Sequence, residues 1–255
     1  MKTSFQEENI ANKFEAYNDI LEQTLGFRFV FETFLSNPNV KTILDYGCGP
    51  GKVAYRLAEN SDLHVVAVDE SQEMLDIASK KRRHAQVDYH LIQHDKLSFL
   101  EDCSLDGAMT CYVFINTESK NRIERIMKEV YRVLKPNAPF VILDTNPDST
   151  GIPFSTFQNG IQGKTYAYGE ARQEFLHIEN EEDLILHDFH WPKSMYEELL
   201  HTVGFQQIET LEPTLRHIPS MELQTIEQKH QFTKWKNEWD SPPFIIYRSI
   251  KPLTD

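Results

Sequence analysis

A glycine-rich loop behind an apolar run is the part of this sequence whose residue types best fit chemistry. The loop reads DYGCGPG over residues 45–51 and lies between a predicted strand over 40–44 and a predicted helix. Glycines permit positive φ and a close approach of the backbone to a ligand, and a helix N-terminus favours a ligand's negative group. The next predicted strand, 63–68, ends at Asp69, where a carboxylate can accept hydrogen bonds from both hydroxyls of a ribose. A glycine turn alone can simply join a strand to a helix, but this context predicts a nucleotide-like ligand.

Asp45, the acid directly before the glycines, restricts the kind of ligand. A dinucleotide would place its pyrophosphate over this loop, and a carboxylate there would repel it. The spacing GxGxG, in place of GxGxxG, also argues against a nicotinamide oxidoreductase. A ligand that carries a cationic amine would instead be attracted to Asp45.

The elements around the loop alternate between strand and helix. Further strands are predicted over 87–92, 105–113 and 140–143, and helices are predicted over 8–36 and 121–134. Ser71 is suited to cap one more helix. This alternation predicts an α/β fold with a parallel, doubly wound sheet.

The alternation stops after residue 144. Residues 146–190 favour loops and short antiparallel strands, and a helix over 193–203, closed by Gly204, follows them. Two final strands are expected at 205–211 and 244–250, with a helical stretch over 222–238 between them. We therefore predict three parts: an N-terminal helical lid over 1–36, a ligand-binding domain over 37–146 and 191–255, and an inserted substrate cap over 147–190.

Composition excludes several classes of partner. The formal charge is −13, from 39 acidic and 26 basic residues, which disfavours a nucleic-acid partner. No apolar stretch approaches the length of a membrane span, so no membrane partner is predicted. Three cysteines at wide spacing, with no signal peptide, favour a cytoplasmic location, and no metal-ligand spacing is present. A monomer and a homodimer both remain open.

As a set, the motifs resemble those of the class I S-adenosylmethionine-dependent methyltransferases of the small-molecule type. The matching segments are LDYGCGPG (44–51), VAVDES (66–71), HD (94–95), LDGAM (105–109) and VLKPNAPFVILD (133–144). The resemblance covers about residues 8–144, 193–211 and 244–250. It implies a Rossmann-like, seven-stranded doubly wound sheet with an antiparallel final strand and an inserted cap.

Two positions depart from the family pattern. Asn137-Ala138 stands where the family usually has Gly-Gly, and Lys52 stands where a small hydroxyl residue is usual. Asparagine tolerates left-handed backbone, so the turn at Asn137 can form. Lys52 is interpreted as neutral for cofactor binding.

The resemblance also implies a cofactor, S-adenosylmethionine, with S-adenosylhomocysteine as product, and it assigns residues to each part of it. The glycines would hold the methionine portion, Asp45 the amine and Asp69 the ribose. Glu70 and Met74 would border the adenine, while Asp95 and the backbone of Lys96 would read its edge. The residues implied in cofactor binding are Tyr17 as an aromatic lid, Asp45, Gly47, Gly49, Gly51, Asp69, Glu70, Met74, Asp95, Lys96, and Cys111 on the sulfonium side.

The acceptor is expected over the carboxyl ends of the strands. Tyr112 and Asn146 are candidate substrate-binding residues, and His190 is a candidate general base because Trp191-Pro192 fixes the chain beside it. The aromatic residues of the cap can form a lid or, as we favour, the cap's own small core. Because a sulfonium methyl is already activated, the protein mainly has to align donor and acceptor.

The predicted function is methyl transfer from S-adenosylmethionine to a nitrogen or oxygen atom of a small molecule. Two alternatives stay open: a non-catalytic regulatory or partner subunit that binds S-adenosylmethionine, and a methyltransferase for protein side chains. Turnover with any acceptor would exclude the first. An exposed acidic groove would favour the second, and the sequence does not reveal one.

Overall fold

The glycine loop follows the first strand of a seven-stranded sheet in the computed structural model, which describes residues 8–179 and 181–253. The strands are β1 (Thr42–Tyr46), β2 (His64–Asp69), β3 (Val87–Leu91), β4 (Gly107–Cys111), β5 (Pro139–Thr145), β6 (Phe157–Asn159), β7 (Glu170–Leu176), β8 (Leu184–His190), β9 (Gln206–Leu211) and β10 (Phe244–Ile250). The large sheet has the order β3-β2-β1-β4-β5-β10-β9. Its first five strands are parallel, and β10 runs antiparallel to both β5 and β9. The predicted Rossmann-like sheet with an antiparallel final strand is confirmed.

The helices cover the faces of this sheet and its carboxyl edge. They are α1 (Glu8–Ala16), α2 (Ile20–Glu22), α3 (Arg28–Leu35), α4 (Lys52–Glu59), α5 (Gln72–Lys81), α6 (Lys120–Val133), α7 (Lys193–Val203) and α8 (Ser220–His230). A π-helical turn over Gln23–Phe27 joins α2 to α3, and short 3₁₀ turns lie at Pro147–Ser149 and Leu215–His217.

The N-terminal helix is not continuous as predicted. The pattern over 8–36 forms two helical pieces, because the chain leaves the helix between α1 and α2 and then loosens into the π-helical turn. The stretch predicted over 222–238 is helical only to His230, where Gln231 takes left-handed backbone at φ +50°.

Three local predictions about caps and turns are confirmed. Ser71 Oγ accepts a hydrogen bond from the backbone N–H of Met74 at 3.2 Å and so caps α5. Gly204 ends α7 at φ +108°, and Asn137 takes the left-handed conformation at φ +65°.

Two apolar clusters pack on the two faces of the large sheet. Successive residues of a strand belong to different clusters, as Ile43 and Leu44 do in β1. Both of these side chains are fully buried, which is the pattern of a parallel sheet covered on both faces. The rigid sheet fixes the positions of the loops at its carboxyl edge.

Residues 147–190 form a second, antiparallel sheet of order β6-β7-β8, as the sequence predicts for this segment. It is joined to the large sheet at several points. Phe157 stacks on Phe244 of β10 with ring centroids 5.4 Å apart, and the N–H of Phe189 donates to the carbonyl of Ile115 at 2.7 Å. The insertion therefore lies against the carboxyl edge of the large sheet.

The division into lid, main domain and cap stays a prediction, and residues 1–7, 180 and 254–255 of those parts lie outside the described residues. Within 8–179 and 181–253, no helix is long and apolar enough to span a membrane. The same residues contain no group of three or more His, Cys, Asp or Glu side chains placed to hold a metal ion.

Candidate active site

A cavity of about 450 Å³ opens at the carboxyl edge of the large sheet, a volume typical of small-molecule sites. One part of its wall, here called the glycine-loop end, contains Gly47, Gly49, Asp69 and Met74. Another part, here called the acidic end, contains Tyr17, Glu22, Tyr112 and Glu174. The cavity is therefore bounded by the large sheet, the N-terminal segment and the second sheet together.

The three glycines of the loop are required for different structural reasons. All take positive φ, at +77°, +52° and +77° for Gly47, Gly49 and Gly51. A Cβ on Gly47 would lie 2.5 Å from Val113 Cγ2, and one on Gly51 would lie 2.6 Å from the hydroxyl of Tyr89. A Cβ on Gly49 would have no atom within 4 Å. Packing of the loop therefore requires Gly47 and Gly51, whereas Gly49 presents bare backbone to the cavity.

Asp69 joins the glycine loop to the start of α5. Its Oδ2 accepts from the N–H of Gly49 at 2.8 Å, and its Oδ1 accepts from the N–H of Ser71 at 2.8 Å. Burial raises the pKa of this carboxyl, and the two backbone donors oppose that effect. Each carboxylate oxygen keeps a second lone pair, so Asp69 can accept two further hydroxyl hydrogen bonds at the cavity wall.

Asp45 presents an unsatisfied acceptor to the cavity. The side chain is buried, and its Oδ2 has no hydrogen-bond partner among the described residues. Burial and the nearby charge of Asp69 raise its pKa to about 7. A buried acceptor without a partner is costly, and a cationic group in the cavity would supply that partner. Asp45 thus fits the amine of S-adenosylmethionine, and its charge disfavours a phosphate.

Arg122 is a cavity residue that sequence reasoning missed. Its Nη2 donates to Glu70 Oε2 at 2.6 Å, and it lines the cavity with Glu70 and Met74. It lies in the first turn of α6, where an arginine is typical of an exposed helix face. Nothing in the local spacing indicates its role.

Asp95 and Lys96 lie outside the cavity wall. The carboxylate of Asp95 is buried and accepts from Arg122 Nε at 2.8 Å and from Arg125 Nη2 at 3.3 Å. The carboxylate that was predicted to read an adenine edge therefore pairs with two guanidinium groups, and Asp95 is not among the residues that line the cavity. Arg122, not Asp95, faces the cavity at this place.

Glu22 and Tyr17 form the centre of the acidic end. The hydroxyl of Tyr17 donates to Glu22 Oε1 at 2.6 Å and lies 2.9 Å from Oγ1 of Thr156, the residue before β6. Glu22 Oε2 has no partner among the described residues. Burial, with a contribution from Asp19, raises the pKa of Glu22 to about 8. This carboxyl is therefore mostly protonated at neutral pH when nothing is bound beside it.

Tyr112 and two phenylalanines form an aromatic wall beside this carboxyl. Tyr112 follows β4 with φ +60°, a conformation that is strained for a non-glycine residue and clusters at functional sites. Its ring contacts those of Phe27 and Phe244 edge-on, with centroids 6.3 and 5.6 Å away. The Tyr112 hydroxyl has no partner among the described residues. The wall is therefore apolar with one free hydroxyl.

Glu174 of β7 is the second carboxyl at the acidic end. It is buried, and burial together with the charge of Asp188 raises its pKa, while Arg172 acts against that rise. The charge on Glu22 adds to the effect. Two carboxyls, one on helix α2 and one on strand β7, thus face one cavity.

Lys52, interpreted from the sequence as neutral for cofactor binding, links the N-terminal segment to α4. Lys52 Nζ donates to the carbonyls of Phe14 and Tyr17, at 3.2 Å each. Arg56 forms a bidentate pair with Asp19, at 2.6 and 2.9 Å. Lys52 therefore positions the segment that carries Tyr17 over the glycine loop.

Asn146 and His190 are not brought to the cavity. Asn146 is buried, with its Nδ2 donating to Glu212 Oε1 at 2.6 Å and its Oδ1 accepting from the N–H of Asp148 at 3.0 Å. His190 lies with its ring centroid 6.2 Å from that of Tyr166, and burial lowers its pKa. Neither residue is among those that line the cavity.

The predicted site residues therefore divide into two groups. The residues in the cavity wall are Tyr17, Asp45, Gly47, Gly49, Asp69, Glu70, Met74, Cys111 and Tyr112. The residues outside it are Gly51, Asp95, Lys96, Asn146 and His190. Glu22, Glu174 and Arg122 were not predicted, and they line it as well.

Comparison with known proteins agrees with this geometry. The family model described as a methyltransferase domain matches residues 43–137, which include the glycine loop and Asp69. The chain is 32% identical over 201 residues to N-demethylindolmycin N-methyltransferase of Streptomyces griseus, covering 77% of this chain and 82% of that protein. It is 29% identical over 157 residues to the ubiquinone/menaquinone biosynthesis C-methyltransferase UbiE of Rickettsia typhi, covering 56% of this chain and 60% of that protein.

A solved structure shares the fold. The crystal structure of a putative S-adenosylmethionine-dependent methyltransferase from Listeria monocytogenes superposes with a TM-score of 0.58 at 22% identity. The match covers 89% of this chain and 99% of that one.

Proposed function

Because this chain belongs to the class I S-adenosylmethionine-dependent methyltransferases, we propose that it methylates a nitrogen or oxygen atom of a small molecule bound at the acidic end. The enzyme takes the methyl group from S-adenosylmethionine. One observation carries the proposal: a single cavity contains both the glycine-loop end and the acidic end. Donor and acceptor can therefore meet without leaving the protein.

The residues of the glycine-loop end fit the parts of S-adenosylmethionine. Asp45 would pair with its amine and Asp69 with its ribose hydroxyls, while Glu70 and Met74 would border the adenine. Cys111 would lie on the sulfonium side. Bound there, S-adenosylmethionine supplies a methyl group that is already activated, so the chain's own task is to align the acceptor and exclude water.

The proposal of a small acceptor has two supports. The relatives named above act, by their names, on N-demethylindolmycin and on quinone precursors, which are small molecules. In this chain, the side chain of Lys52 donates hydrogen bonds to the backbone carbonyls of Phe14 and Tyr17 and holds both residues against the cavity. A segment fixed in this way favours an enclosed small molecule over a protein side chain delivered by an exposed groove.

The experiment that tests the proposal is a calorimetric titration followed by an acceptor screen. We expect S-adenosylmethionine and S-adenosylhomocysteine to bind, and NAD⁺, the control, not to bind. Small-molecule nitrogen and oxygen acceptors are then screened by mass spectrometry for the gain of one methyl group. Methylation confined to protein side chains would contradict the proposal, and binding without turnover on any acceptor would favour the non-catalytic alternative.

Asp69→Ala is expected to weaken S-adenosylmethionine binding by about tenfold to a hundredfold. A hydrogen bond to a charged group contributes about 1.5–3 kcal/mol, and the variant also frees the N–H groups of Gly49 and Ser71. Titration calorimetry measures the change. Asp88→Ala is the control, because Asp88 is an exposed carboxylate on the neighbouring strand that pairs with His64 at the surface. Equal affinity of the two variants would contradict the ribose assignment.

A further inference from the structure

The acidic end contains a buried carboxyl without a counterion. Glu22 is only 7% exposed, and Oε1 is its only oxygen that accepts a hydrogen bond from a described residue. The basic side chains on this side of the cavity are used elsewhere, since Arg56 pairs with Asp19 and Lys52 donates to backbone carbonyls. A carboxyl in this setting gains most from a cationic ligand.

The charges around Glu22 add to this preference. Glu174 lines the same cavity from β7, and Asp188 lies behind it. The guanidinium of Arg172 lies in this cluster and is already bonded to Asp188 at 3.0 Å. The buried groups at the acidic end therefore carry more acid than base, and a bound cation would reduce the imbalance.

The aromatic wall beside Glu22 also suits a cation. The ring of Tyr112 contacts those of Phe27 and Phe244, and all three line the cavity. Aromatic faces attract ammonium groups, and they also bind flat apolar ligands. The free hydroxyl of Tyr112 can accept or donate one hydrogen bond to the same ligand.

We propose that the acceptor is a primary or secondary amine on a flat apolar group, and that Glu22 binds its ammonium form and takes its proton. This inference rests on the proposed function and narrows the acceptor atom to nitrogen. Glu22, held by Tyr17, is then a catalytic residue, and the aromatic wall packs on the apolar part of the substrate.

The proton and electron balance is simple. As the ammonium binds, Glu22, which is mostly protonated in the empty site, releases its proton to solvent and pairs with the ammonium as a carboxylate. The bound ammonium then gives one proton to this carboxylate and becomes a neutral amine. The nitrogen lone pair then forms the bond to the methyl carbon, while the S–C bond breaks and its electron pair stays on sulfur. The product leaves as an N-methylammonium ion, and Glu22 is again protonated, as it is in the empty site. No further reactant is required.

Burial makes Glu22 suited to this proton transfer. An ordinary glutamate, with a pKa near 4.5, is a poor acceptor for the proton of an ammonium group, whose pKa is about 10. Burial raises the pKa of Glu22 to about 8 in the empty site, so its proton affinity is closer to that of the amine. A bound ammonium opposes part of this rise. Matched affinities favour general base catalysis.

The test compares Glu22→Gln with wild type on matched probes. The amines are benzylamine and tryptamine, and the oxygen counterparts are benzyl alcohol and tryptophol. Binding of each probe to the complex with S-adenosylhomocysteine is measured by calorimetry, and methyl incorporation is measured by mass spectrometry. We expect the variant to lose at least about tenfold in amine binding and about a hundredfold in kcat/KM for amines, with no change for alcohols.

Glu22→Gln is expected to fold, because glutamine keeps an acceptor for the Tyr17 hydroxyl. Glu22→Asp, which keeps the charge on a shorter side chain, is expected to restore part of the amine binding. Glu32→Gln is the matched control, since Glu32 lies exposed on α3 and pairs with Arg248 at the surface. Its affinities should equal those of wild type.

The outcomes separate this proposal from the one it rests on. If wild type binds no S-adenosylhomocysteine, the proposed function fails. If S-adenosylhomocysteine binds but no amine probe binds wild type more tightly than Glu22→Gln, the role of Glu22 is overturned and the proposed function stands. Methylation of the alcohols alone would also overturn it.

Discussion

Gly49→Val is expected to abolish S-adenosylmethionine binding, with a loss of affinity of at least about a hundredfold, while the protein remains folded. A Cβ on Gly49 would have no protein atom within 4 Å, so the new side chain would occupy space in the ligand cavity rather than clash with the fold. The cost to stability is the left-handed backbone of a β-branched residue, about 1–2 kcal/mol. Titration calorimetry and thermal unfolding measure the two effects separately.

Gly163→Val is the matched control for this variant. Gly163 also has positive φ, at +77°, and a Cβ there would likewise have no atom within 4 Å. Gly163 is exposed and does not line the cavity. The two variants should therefore lose similar stability, and only Gly49→Val should lose the ligand. Normal S-adenosylmethionine affinity of Gly49→Val would show that the ligand does not lie against this backbone.

The sequence predicted the glycine-loop end well because its signals are local. Gly47 and Gly51 take positive φ within the loop itself, Ser71 caps α5, and Asp69 follows the adjacent strand. Parallel strands bring these segments to one edge by topology alone. No long-range side-chain packing has to be known for such a prediction.

The acidic end could not be predicted because its contacts are distant in sequence. Glu22 lies in a pattern that favours one long helix, where a glutamate is typical of the exposed face. It is buried beside Tyr17, whose hydroxyl contacts Thr156, 139 positions later and directly before the second sheet. Glu174 lines the same cavity from the second sheet. The alternation of side chains along a strand predicts the face of the sheet on which Glu174 lies, but it does not predict what packs against that face.

The same dependence on contacts that are distant in sequence explains why the positions of Asp95 and His190 were not predicted. The local pattern around Asp95 resembles an adenine-reading segment, but the partners of its carboxylate are arginines 27 and 30 positions later on α6. The alternation around His190 indicates a strand, which β8 confirms. Neither local sequence pattern predicts how far the side chain of Asp95 or His190 lies from the cavity.

Arg172→Met is the second variant with a large expected effect, in this case on stability. The guanidinium and the carboxylate of Asp188 are almost completely buried, with 1% and 0% of their side chains exposed. The same guanidinium donates to Thr145 of the large sheet at 2.9 Å and to Thr150 at 2.7 Å. Methionine would fill similar space and leave Asp188 buried without its cation, at a cost of about 3–5 kcal/mol. Thermal unfolding should show a fall in Tm of about 10 °C.

Two further variants show whether the loss of stability in Arg172→Met comes from leaving the Asp188 carboxylate buried without its cation. Arg216→Met breaks an exposed pair with Asp240, whose side chains are 65% and 76% exposed, and should cost less than about 1 kcal/mol. Adding Asp188→Asn to Arg172→Met removes the uncompensated charge and should recover part of the lost stability. A loss from Arg172→Met no larger than that from Arg216→Met would mean that the buried pair does not stabilise the fold.

The position of Arg172 also connects this loss of stability to the acidic end. Arg172 and Glu174 lie on the same strand two residues apart, and Thr145, which Arg172 binds, lines the cavity. Loosening β7 from β5 would therefore displace a cavity carboxyl while leaving the glycine loop and Asp69 in place. We expect Arg172→Met, measured well below its lowered Tm, to keep its affinity for S-adenosylhomocysteine and to lose affinity for amine probes. Equal loss for both ligands would indicate that the two ends of the cavity depend on the same contacts.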